Sequence, residues 1–279
     1  MRVGFIGLGN MGEPQAAAIA AGGFELVVYD AGSRALEAFR GRAQLASSPG
    51  ELAAQVDLLC ICVRDDPQVR EVIEGPKGVL TALRPGSLVL VHSTVGPATI
   101  AAMASATAAR GAQLIDAAVT RTRFGAAPGP FVLTMTGGDP ALTERARPVL
   151  NTFSTQVVHA GPLGAGMALK ITNNFVTWVH VLSIQQAFSL AQAGGVDIDR
   201  LREVMSGNGN LTPVSRAVLE ALVRDAGSMS EERRAFAESQ GKIGEKDLEL
   251  ALEFARAGQV NLSMARAARE GILKSMLGG

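Results

Sequence analysis

The chain has 279 residues, of which 47% are hydrophobic, and its 26 basic and 26 acidic residues give a formal net charge of +0. This length and composition can bury a sizeable core without metal or disulfide staples. The balanced charge excludes the strongly basic surfaces that bind nucleic acids or anionic membranes, so we expect a small-molecule ligand.

Residues 2 to about 160 alternate short apolar runs with Ala-rich stretches, which is typical of a parallel sheet covered by helices on both faces. The predicted strands are, in chain order, RVGFIG, ELVVYD, a short strand near AQL, DLLCICV, SLVLVHS, QLIDAAV, PFVLTMTG and TQVVHA. The predicted helices between them begin near Met11, Ser33, Pro49, Pro67, Pro97 and Asp139.

No convincing strand follows HAGPLGAG. A long helix is predicted from about Gly164 to Ala193, where Gly194 and Gly195 end it, and shorter helices follow, among them EKDLELALEFARAG and LSMARAAREGILKSML. An α/β half followed by an all-α half predicts two domains, residues 1–161 and 162–279, with the long helix as the joint.

The N-terminal apolar stretch is too short and too rich in glycine for a signal peptide, and no apolar run reaches the about 20 residues that span a bilayer. Cys60 and Cys62 alternate on an apolar segment, and we interpret them as packed, reduced thiols rather than a metal or redox pair. These features predict a soluble, cytoplasmic protein. His159 and His180 lack metal-ligand spacing, so no metal is predicted.

Gly7, Gly9 and Gly12 form the pattern G-x-G-x-x-G directly after the first strand and at the start of a helix. In that context the glycines permit a tight turn, backbone approach to a pyrophosphate and close helix packing, whereas the pattern alone also fits an ordinary Gly-rich turn. Asp30, at the end of the second strand, has the spacing of an acid that binds adenosine ribose hydroxyls. It favours NAD over NADP, although Arg34, one helical turn further, can in principle reach a 2′-phosphate.

The long helix carries an unusual polar stripe in the segment GMALKITNNF, where Lys170, Asn173 and Asn174 share one face with Thr177. A lysine reaching from a helix to water is the ordinary explanation of Lys170. Because the surrounding helix is apolar on most sides, we interpret the stripe as part of a functional site.

Five segments in register resemble the β-hydroxyacid dehydrogenase family, of which 3-hydroxyisobutyrate dehydrogenase is a member. They are GLGNMG, GSLVLVHSTVGP (86–97), DAAVTRTRFGAAPGPFVLTMTGG (116–138), GPLGAGMALKITNN (161–174) and EKDLELALEFA (245–255). The resemblance implies a doubly wound Rossmann domain that binds the dinucleotide, a long interdomain helix, and an all-α C-terminal domain for substrate binding and oligomerisation. It also implies an active site in the cleft between the two domains.

The resemblance implies that Lys170 is the general acid/base and that Asn174 positions the substrate. An ordinary lysine, with a pKa near about 10.4, is a poor base at neutral pH, so such a site must lower the pKa. The cofactor residues implied by the glycine turn and the resemblance together are Gly7, Leu8, Gly9, Asn10, Met11, Gly12, Asp30, Val63, Arg64, Ser93, Thr94 and Lys246. Ser93 and Thr94 can instead cap a turn, and Lys246 can be a solvated helix charge.

The family usually has Ser-Gly-Gly where this chain has Thr120, Arg121 and Thr122. Because an arginine offers a planar fork of donors suited to carboxylate, sulfonate or phosphate, we expect Arg121 to bind an anionic group of the substrate. Arg123 is a second candidate for this role, but it can point to solvent. Both arginines can instead face water or pair with nearby acids. The predicted substrate-binding residues are Thr120, Arg121, Thr122 and Asn173, and the substrate's identity stays open. His92, between Val91 and Ser93 at the end of a predicted strand, could carry a proton there, but it has no recognisable partner and is interpreted as a packed or solvated side chain.

The predicted function is hydride transfer between NAD and a small anionic β-hydroxy acid. The alternatives are an NADPH-dependent reductase of a small aldehyde acid, an imine reductase, and a catalytically silent nucleotide-binding regulator. Lys170 argues against the imine reductase, which usually has another residue there. The apolar surface of the long helix, including Trp178, suggests an oligomer, and the resemblance implies a homodimer or homotetramer.

Overall fold

The computed structural model describes residues 1–122, 129–225 and 229–277. Two compact units divide the chain, Met1–Lys170 and Ile171–Gly279. The predicted boundary was at residues 161 and 162, and the difference arises because the first turns of the long helix pack within the first unit. Arg123, one of the two arginines considered above, lies outside the described residues.

The first unit contains one eight-stranded sheet with the order β3-β2-β1-β4-β5-β6-β7-β8. The strands are β1 Arg2–Ile6, β2 Glu25–Tyr29, β3 Gln44–Leu45, β4 Leu58–Ile61, β5 Leu88–Val91, β6 Gln113–Arg121, β7 Val132–Gly137 and β8 Ser154–Gly161. All neighbouring strands are parallel except β6 and β7. The sequence analysis predicted a parallel sheet and did not identify this one antiparallel pair. It arises because only residues 122–131 separate the two strands, too few for a crossover connection.

Helices cover both faces of this sheet, as the alternating sequence predicted. They are α1 Gly12–Ala21, α2 Ser33–Glu37, α3 Pro49–Ala53, α4 Asp66–Glu74, α5 Pro97–Ala108 and α6 Pro140–Leu150, with a 3-10 turn at Val79–Thr81. Successive strand residues face opposite layers: Leu58 and Cys60 pack with α1 and α6, whereas Leu59 and Ile61 pack with α3, α4 and α5. This doubly wound arrangement confirms the predicted fold class.

The remaining helices are α7 Ala165–Ala193, α8 Ile198–Gly207, α9 Pro213–Asp225, α10 Glu231–Ala257 and α11 Ser263–Met276. α10 is longer than the sequence suggested, because it begins at Glu231 rather than near Glu245. Ser230 caps its start by accepting a bond from the Arg233 amide. Within the second unit, Trp178 of α7 packs with Leu248 of α10 and Ile272 of α11. None of the helices in the described ranges is long and apolar enough to cross a membrane.

Both cysteines belong to the first unit and are free thiols in the same apolar layer, which confirms the packed interpretation. Cys60 is fully buried in β4, and burial raises its pKa well above the usual thiol range. Cys62, just beyond the strand, is half-buried.

His92 is packed, not solvated. It follows β5 and lies between Phe5, stacked at 6.2 Å between ring centroids, and Phe153, edge-on at 5.8 Å. Its Nδ1–H donates to the Ala117 carbonyl at 2.6 Å. Burial lowers its pKa from 6.5 to about 4, because the charged imidazolium would lose its hydration.

We expect His92 to make the protein sensitive to acid. The unfolded chain takes up a proton at this residue below pH 6.5, whereas the folded chain does so only near pH 4. The free energy of unfolding therefore has its full value above pH 6.5 and decreases as the pH falls from 6.5 to about 4. The loss at this residue is up to about 3 kcal/mol. Urea unfolding at about pH 7.5 and about pH 4.5 should show a larger loss for the native protein than for His92→Asn, which keeps an amide donor. Equal losses would contradict the assignment.

Candidate functional site

The glycine turn between β1 and α1 is built for close backbone approach. Gly7 has φ +95, a left-handed conformation that suits glycine, and its amide donates to the Tyr29 carbonyl at 3.0 Å. A Cβ on Gly12 would lie 1.8 Å from the Gly7 carbonyl oxygen, so only glycine lets α1 pack this closely. A Cβ on Gly9 would meet no heavy atom of the described chain within 4 Å. The turn thus leaves open space beside the first N–H groups of α1, where an anion such as a pyrophosphate is favoured.

Asp30 follows β2, the strand beside β1, and contacts this turn directly. Its Oδ2 accepts a bond from the Leu8 amide at 2.6 Å and its Oδ1 accepts from the Gly32 amide at 2.7 Å. A carboxylate has about four acceptor positions, so the group can hold the turn and still accept bonds from ribose hydroxyls. Arg34 lies exposed on α2.

The loops after β4 and β5 meet at the same edge of the sheet. The Val63 amide donates to Ser93 Oγ at 2.8 Å, and Ser93 is buried. The Arg64 amide donates to Gln68 Oε1 at 3.0 Å, at the start of α4. Because β1, β2, β4 and β5 are parallel, their carboxyl ends border one crevice, which is where doubly wound sheets bind ligands. The structure brings these predicted cofactor residues, with neighbouring Thr94, to that edge.

The substituted loop segment starts at the end of β6. Thr120 is half-buried, while Arg121 and Thr122 are exposed. The Thr122 amide donates to the Phe131 carbonyl at 3.0 Å, which extends the β6–β7 pairing by one residue. Although Arg121 is exposed, its side chain contacts the glycine turn: its Nη2–H donates to the Asn10 carbonyl at 2.9 Å, and its Nε–H lies 3.2 Å from Met11 Sδ. The arginine that replaces a glycine therefore contacts the glycine turn.

Lys170 follows a buried anchor at the start of α7. The Asp116 carboxylate on β6 accepts bonds from the amides of Gly164 and Met167, both at 2.7 Å. Asp116 is fully buried, and burial raises its pKa although these amide bonds oppose the rise. Lys170 lies three positions after Met167 and is only 8% exposed. The sequence analysis did not identify Asp116, whose signal was a charged residue inside an otherwise apolar strand.

In the second unit, Asn174 is held by an acid that the sequence analysis also missed. Its Nδ2–H donates to Asp247 Oδ2 at 2.7 Å, and Trp178 Nε1–H donates to the same oxygen at 3.1 Å. Lys246 Nζ lies 3.3 Å from Asp247 Oδ1. Asp247 is buried in the middle of α10, within EKDLELALEFA, and an acid on the apolar face of a helix was the available signal.

The sequence analysis placed the polar residues of α7 together on one face, but in the structure they do not share one environment. Lys170 and Asn174 are buried, one helical turn apart, whereas Asn173 is exposed and Thr177 is half-buried with its hydroxyl donating to the Asn173 carbonyl at 3.0 Å. Trp178 is likewise packed inside the second unit and adds nothing to an exposed apolar surface. Among the described residues, no group of three or more His, Cys, Asp or Glu side chains could hold a metal ion.

Two family models match nearly the whole chain. The model described as the NAD binding domain of 6-phosphogluconate dehydrogenase matches residues 2–161. The model described as NAD-binding of NADP-dependent 3-hydroxyisobutyrate dehydrogenase matches residues 164–277. The crevice at the glycine turn thus belongs to a segment that matches a dinucleotide-binding family.

Individual relatives agree with these models. An NAD-dependent L-serine dehydrogenase of Pseudomonas aeruginosa is 30% identical over 270 residues, which cover 96% of this chain and 89% of the relative. The crystal structure of a 3-hydroxyisobutyrate dehydrogenase from Salmonella typhimurium has a TM-score of 0.83 and 27% identity, covering 100% of this chain and 95% of that one. An imine reductase of Streptomyces aurantiacus, at a TM-score of 0.65 and 22% identity over 100% of this chain and 99% of its own, shares the fold.

We expect alanine at Gly9 and at Gly12 to have separable effects. Gly12→Ala should destabilise the protein by about 1–3 kcal/mol, because the added Cβ collides with backbone. Gly9→Ala should have a free energy of unfolding within about 0.5 kcal/mol of that of the native protein but lose affinity for the nicotinamide dinucleotide, because its methyl fills the open space of the turn. Urea unfolding and calorimetric titration measure the two effects. Native affinity in Gly9→Ala would show that the ligand does not approach this turn.

Proposed function

This chain belongs to the β-hydroxyacid dehydrogenase family, and on that premise we propose that it oxidises a small anionic β-hydroxy acid with NAD⁺, using Lys170 as general acid/base. As a member of this family it is an NAD(P)-dependent oxidoreductase. The observation that carries the proposal is a buried amine, Lys170, one helical turn before a buried amide, Asn174, on the helix that follows the dinucleotide-binding segment.

The glycine turn fits a dinucleotide because Gly9 leaves space at the start of α1 while Gly12 cannot take a side chain. When bound, the nicotinamide supplies the acceptor and donor of the hydride. The residues proposed to hold the dinucleotide are Gly7, Leu8, Gly9, Asn10, Met11, Gly12, Asp30, Val63, Arg64, Ser93, Thr94 and Lys246.

Lys170 handles the proton of the reaction in this proposal. In oxidation its neutral amine accepts the proton of the substrate hydroxyl, and in reduction the ammonium returns that proton to the carbonyl oxygen. Asn174 positions the substrate, and Asp247 fixes the amide by accepting its Nδ2–H, which leaves the amide carbonyl oxygen to accept from the substrate. Thr120, Arg121, Thr122 and Asn173 are proposed to contact the substrate, with the Arg121 guanidinium facing its anionic group.

We also propose that residues 1–161 form the dinucleotide-binding domain and residues 162–279 the domain for substrate binding and oligomerisation. The second unit exposes several large apolar side chains, among them Leu190, Val204 and Phe236, which are 75%, 63% and 52% exposed. Such side chains are frequent in subunit contacts, and they support a homodimer or homotetramer.

Removing the amine should abolish most of the activity. We expect Lys170→Ala to lower kcat for hydroxy-acid oxidation by about 10²–10⁴-fold while NAD⁺ affinity is kept, since general acid/base catalysis contributes that range. Lys170→Arg, which keeps the charge but cannot act as a base, should be similarly impaired, and the exposed Lys77→Ala should match the native enzyme. NAD⁺ and NADP⁺ reduction is followed over a panel that includes 3-hydroxyisobutyrate, L-serine, hydroxy-sulfonates and hydroxy-dicarboxylates.

The native enzyme should oxidise its substrate faster as the pH rises from about 6 to about 10, because the neutral amine becomes more populated. A flat profile with chemistry limiting would contradict Lys170 as the base, and activity that survives in Lys170→Ala would favour the alternatives, among them the aldehyde-acid reductase and the imine reductase. Dinucleotide binding without turnover on any substrate would indicate a silent regulator.

The cofactor preference follows from Asp30. We expect a lower KM for NAD⁺ than for NADP⁺, because the carboxylate accepts bonds from ribose hydroxyls and repels a 2′-phosphate. Asp30→Asn should reduce the difference between the KM values for NAD⁺ and NADP⁺, whereas Arg34→Ala should leave that difference unchanged. A lower KM for NADP⁺ in the native enzyme would favour the alternative, an NADPH-dependent reductase of a small aldehyde acid.

A further inference from the structure

We propose that Arg121 is also a cofactor-binding residue: it braces the glycine turn and adds the positive charge that the dinucleotide pyrophosphate meets there. This inference rests on the proposed function only in taking the turn as the dinucleotide site. The family resemblance implies a glycine at this position, and a glycine has no side chain that could make this contact.

The first argument is the fixed position of the guanidinium. Its Nη2–H donates to the Asn10 carbonyl at 2.9 Å and its Nε–H reaches Met11 Sδ at 3.2 Å, so it binds the two residues between Gly9 and the start of α1. The central guanidinium carbon, Cζ, lies 5.8 Å from the centroid of the Phe131 ring, which is a cation–π distance. The Phe131 amide in turn donates to the Phe153 carbonyl at 2.9 Å, which ties the ring's backbone to the sheet.

The second argument concerns the peptide that Arg121 contacts. The Asn10 carbonyl and the Met11 N–H belong to the same peptide group, and a bond donated to the carbonyl polarises the N–H on its other side. That N–H precedes α1, among the groups that favour a bound anion. A cationic donor on the carbonyl therefore makes the turn a stronger anion-binding site even before the arginine touches the ligand.

The third argument is the local charge. The exposed Glu13 lies in the first turn of α1, where its carboxylate competes with a pyrophosphate for the positive end of the helix. Arg121 brings a compensating cation to the same turn. A guanidinium has five N–H donors, and two are engaged in the turn, so the group is equipped to bind an anion as well.

The test measures dinucleotide binding without turnover. Calorimetric titration with NAD⁺ and with ADP-ribose compares the native protein with Arg121→Gln, Arg121→Lys and the control Arg110→Gln. Glutamine can still donate to the Asn10 carbonyl but carries no charge, lysine keeps the charge without the fork, and Arg110 is an exposed arginine beyond α5, at the opposite edge of the sheet. Urea unfolding confirms that each variant is folded.

We expect Arg121→Gln to weaken both ligands by about tenfold, the scale of one charge-assisted hydrogen bond. The effect should be smaller in Arg121→Lys, absent in Arg110→Gln, and reduced at high salt. The inference is overturned if Arg121→Gln binds NAD⁺ within twofold of the native protein, even if the KM for a hydroxy acid rises, because Arg121 would then serve only the substrate. Equal weakening in Arg110→Gln also overturns it. Because no turnover is measured, failure of the proposed reaction remains a separate result.

Discussion

The buried Asp116 carboxylate is the interaction on which the position of the first turns of α7 depends. It joins the middle of β6 to the amides of Gly164 and Met167 at the start of α7. A Cβ on Gly137 would lie 2.6 Å from one carboxylate oxygen, and a Cβ on Gly166 would lie 2.8 Å from the other. Small residues thus enclose the acid, and the helix dipole favours its charge despite the burial. Because Lys170 follows Met167 by less than one turn, the sheet determines where the helix presents its amine.

The other edge residues of the first unit are connected in the same manner, by side chains that bind the backbone of a neighbouring loop. Asp30 holds the Leu8 amide, Ser93 holds the Val63 amide, and Arg121 holds the Asn10 carbonyl. Each contact fixes a segment at the carboxyl edge of the sheet without occupying the space at Gly9. The result is a preorganised crevice, in which a ligand replaces few existing contacts and need not order the loops itself.

Much of the fold could be predicted from the sequence because the signals were local. Alternating apolar runs predicted all eight strands, and Pro, Asp and Gly residues marked most helix ends. Strand direction is not local, so the antiparallel pairing of β6 with β7 was missed. The start of α10 was missed because its first half is polar and has no apolar stripe strong enough to identify a helix.

The site was predicted less evenly. The glycine turn and Asp30 have a characteristic spacing. Lys170 and Asn174 were identified by a polar stripe on an apolar helix, and the resemblance supplied their roles. Two buried acids were missed: Asp116, which accepts from the amides of Gly164 and Met167, and Asp247, which accepts from Asn174. Their contacts span 48 to 73 residues of sequence, which periodicity does not encode. Arg121 was recognised as a departure, but its contact with a turn 111 residues earlier could only be seen in three dimensions.

The placement of the two thiols allows the local opening of the first unit to be measured by the rate of thiol labelling. Cys60 lies in the innermost part of the sheet, where burial both shields its sulfur and suppresses the reactive thiolate. An alkylating reagent can therefore modify it only during an opening of the strands around β4, and the rate of labelling measures how often that opening occurs. Cys62, half-buried just beyond the strand, reports instead on the edge of the sheet where the cofactor crevice lies.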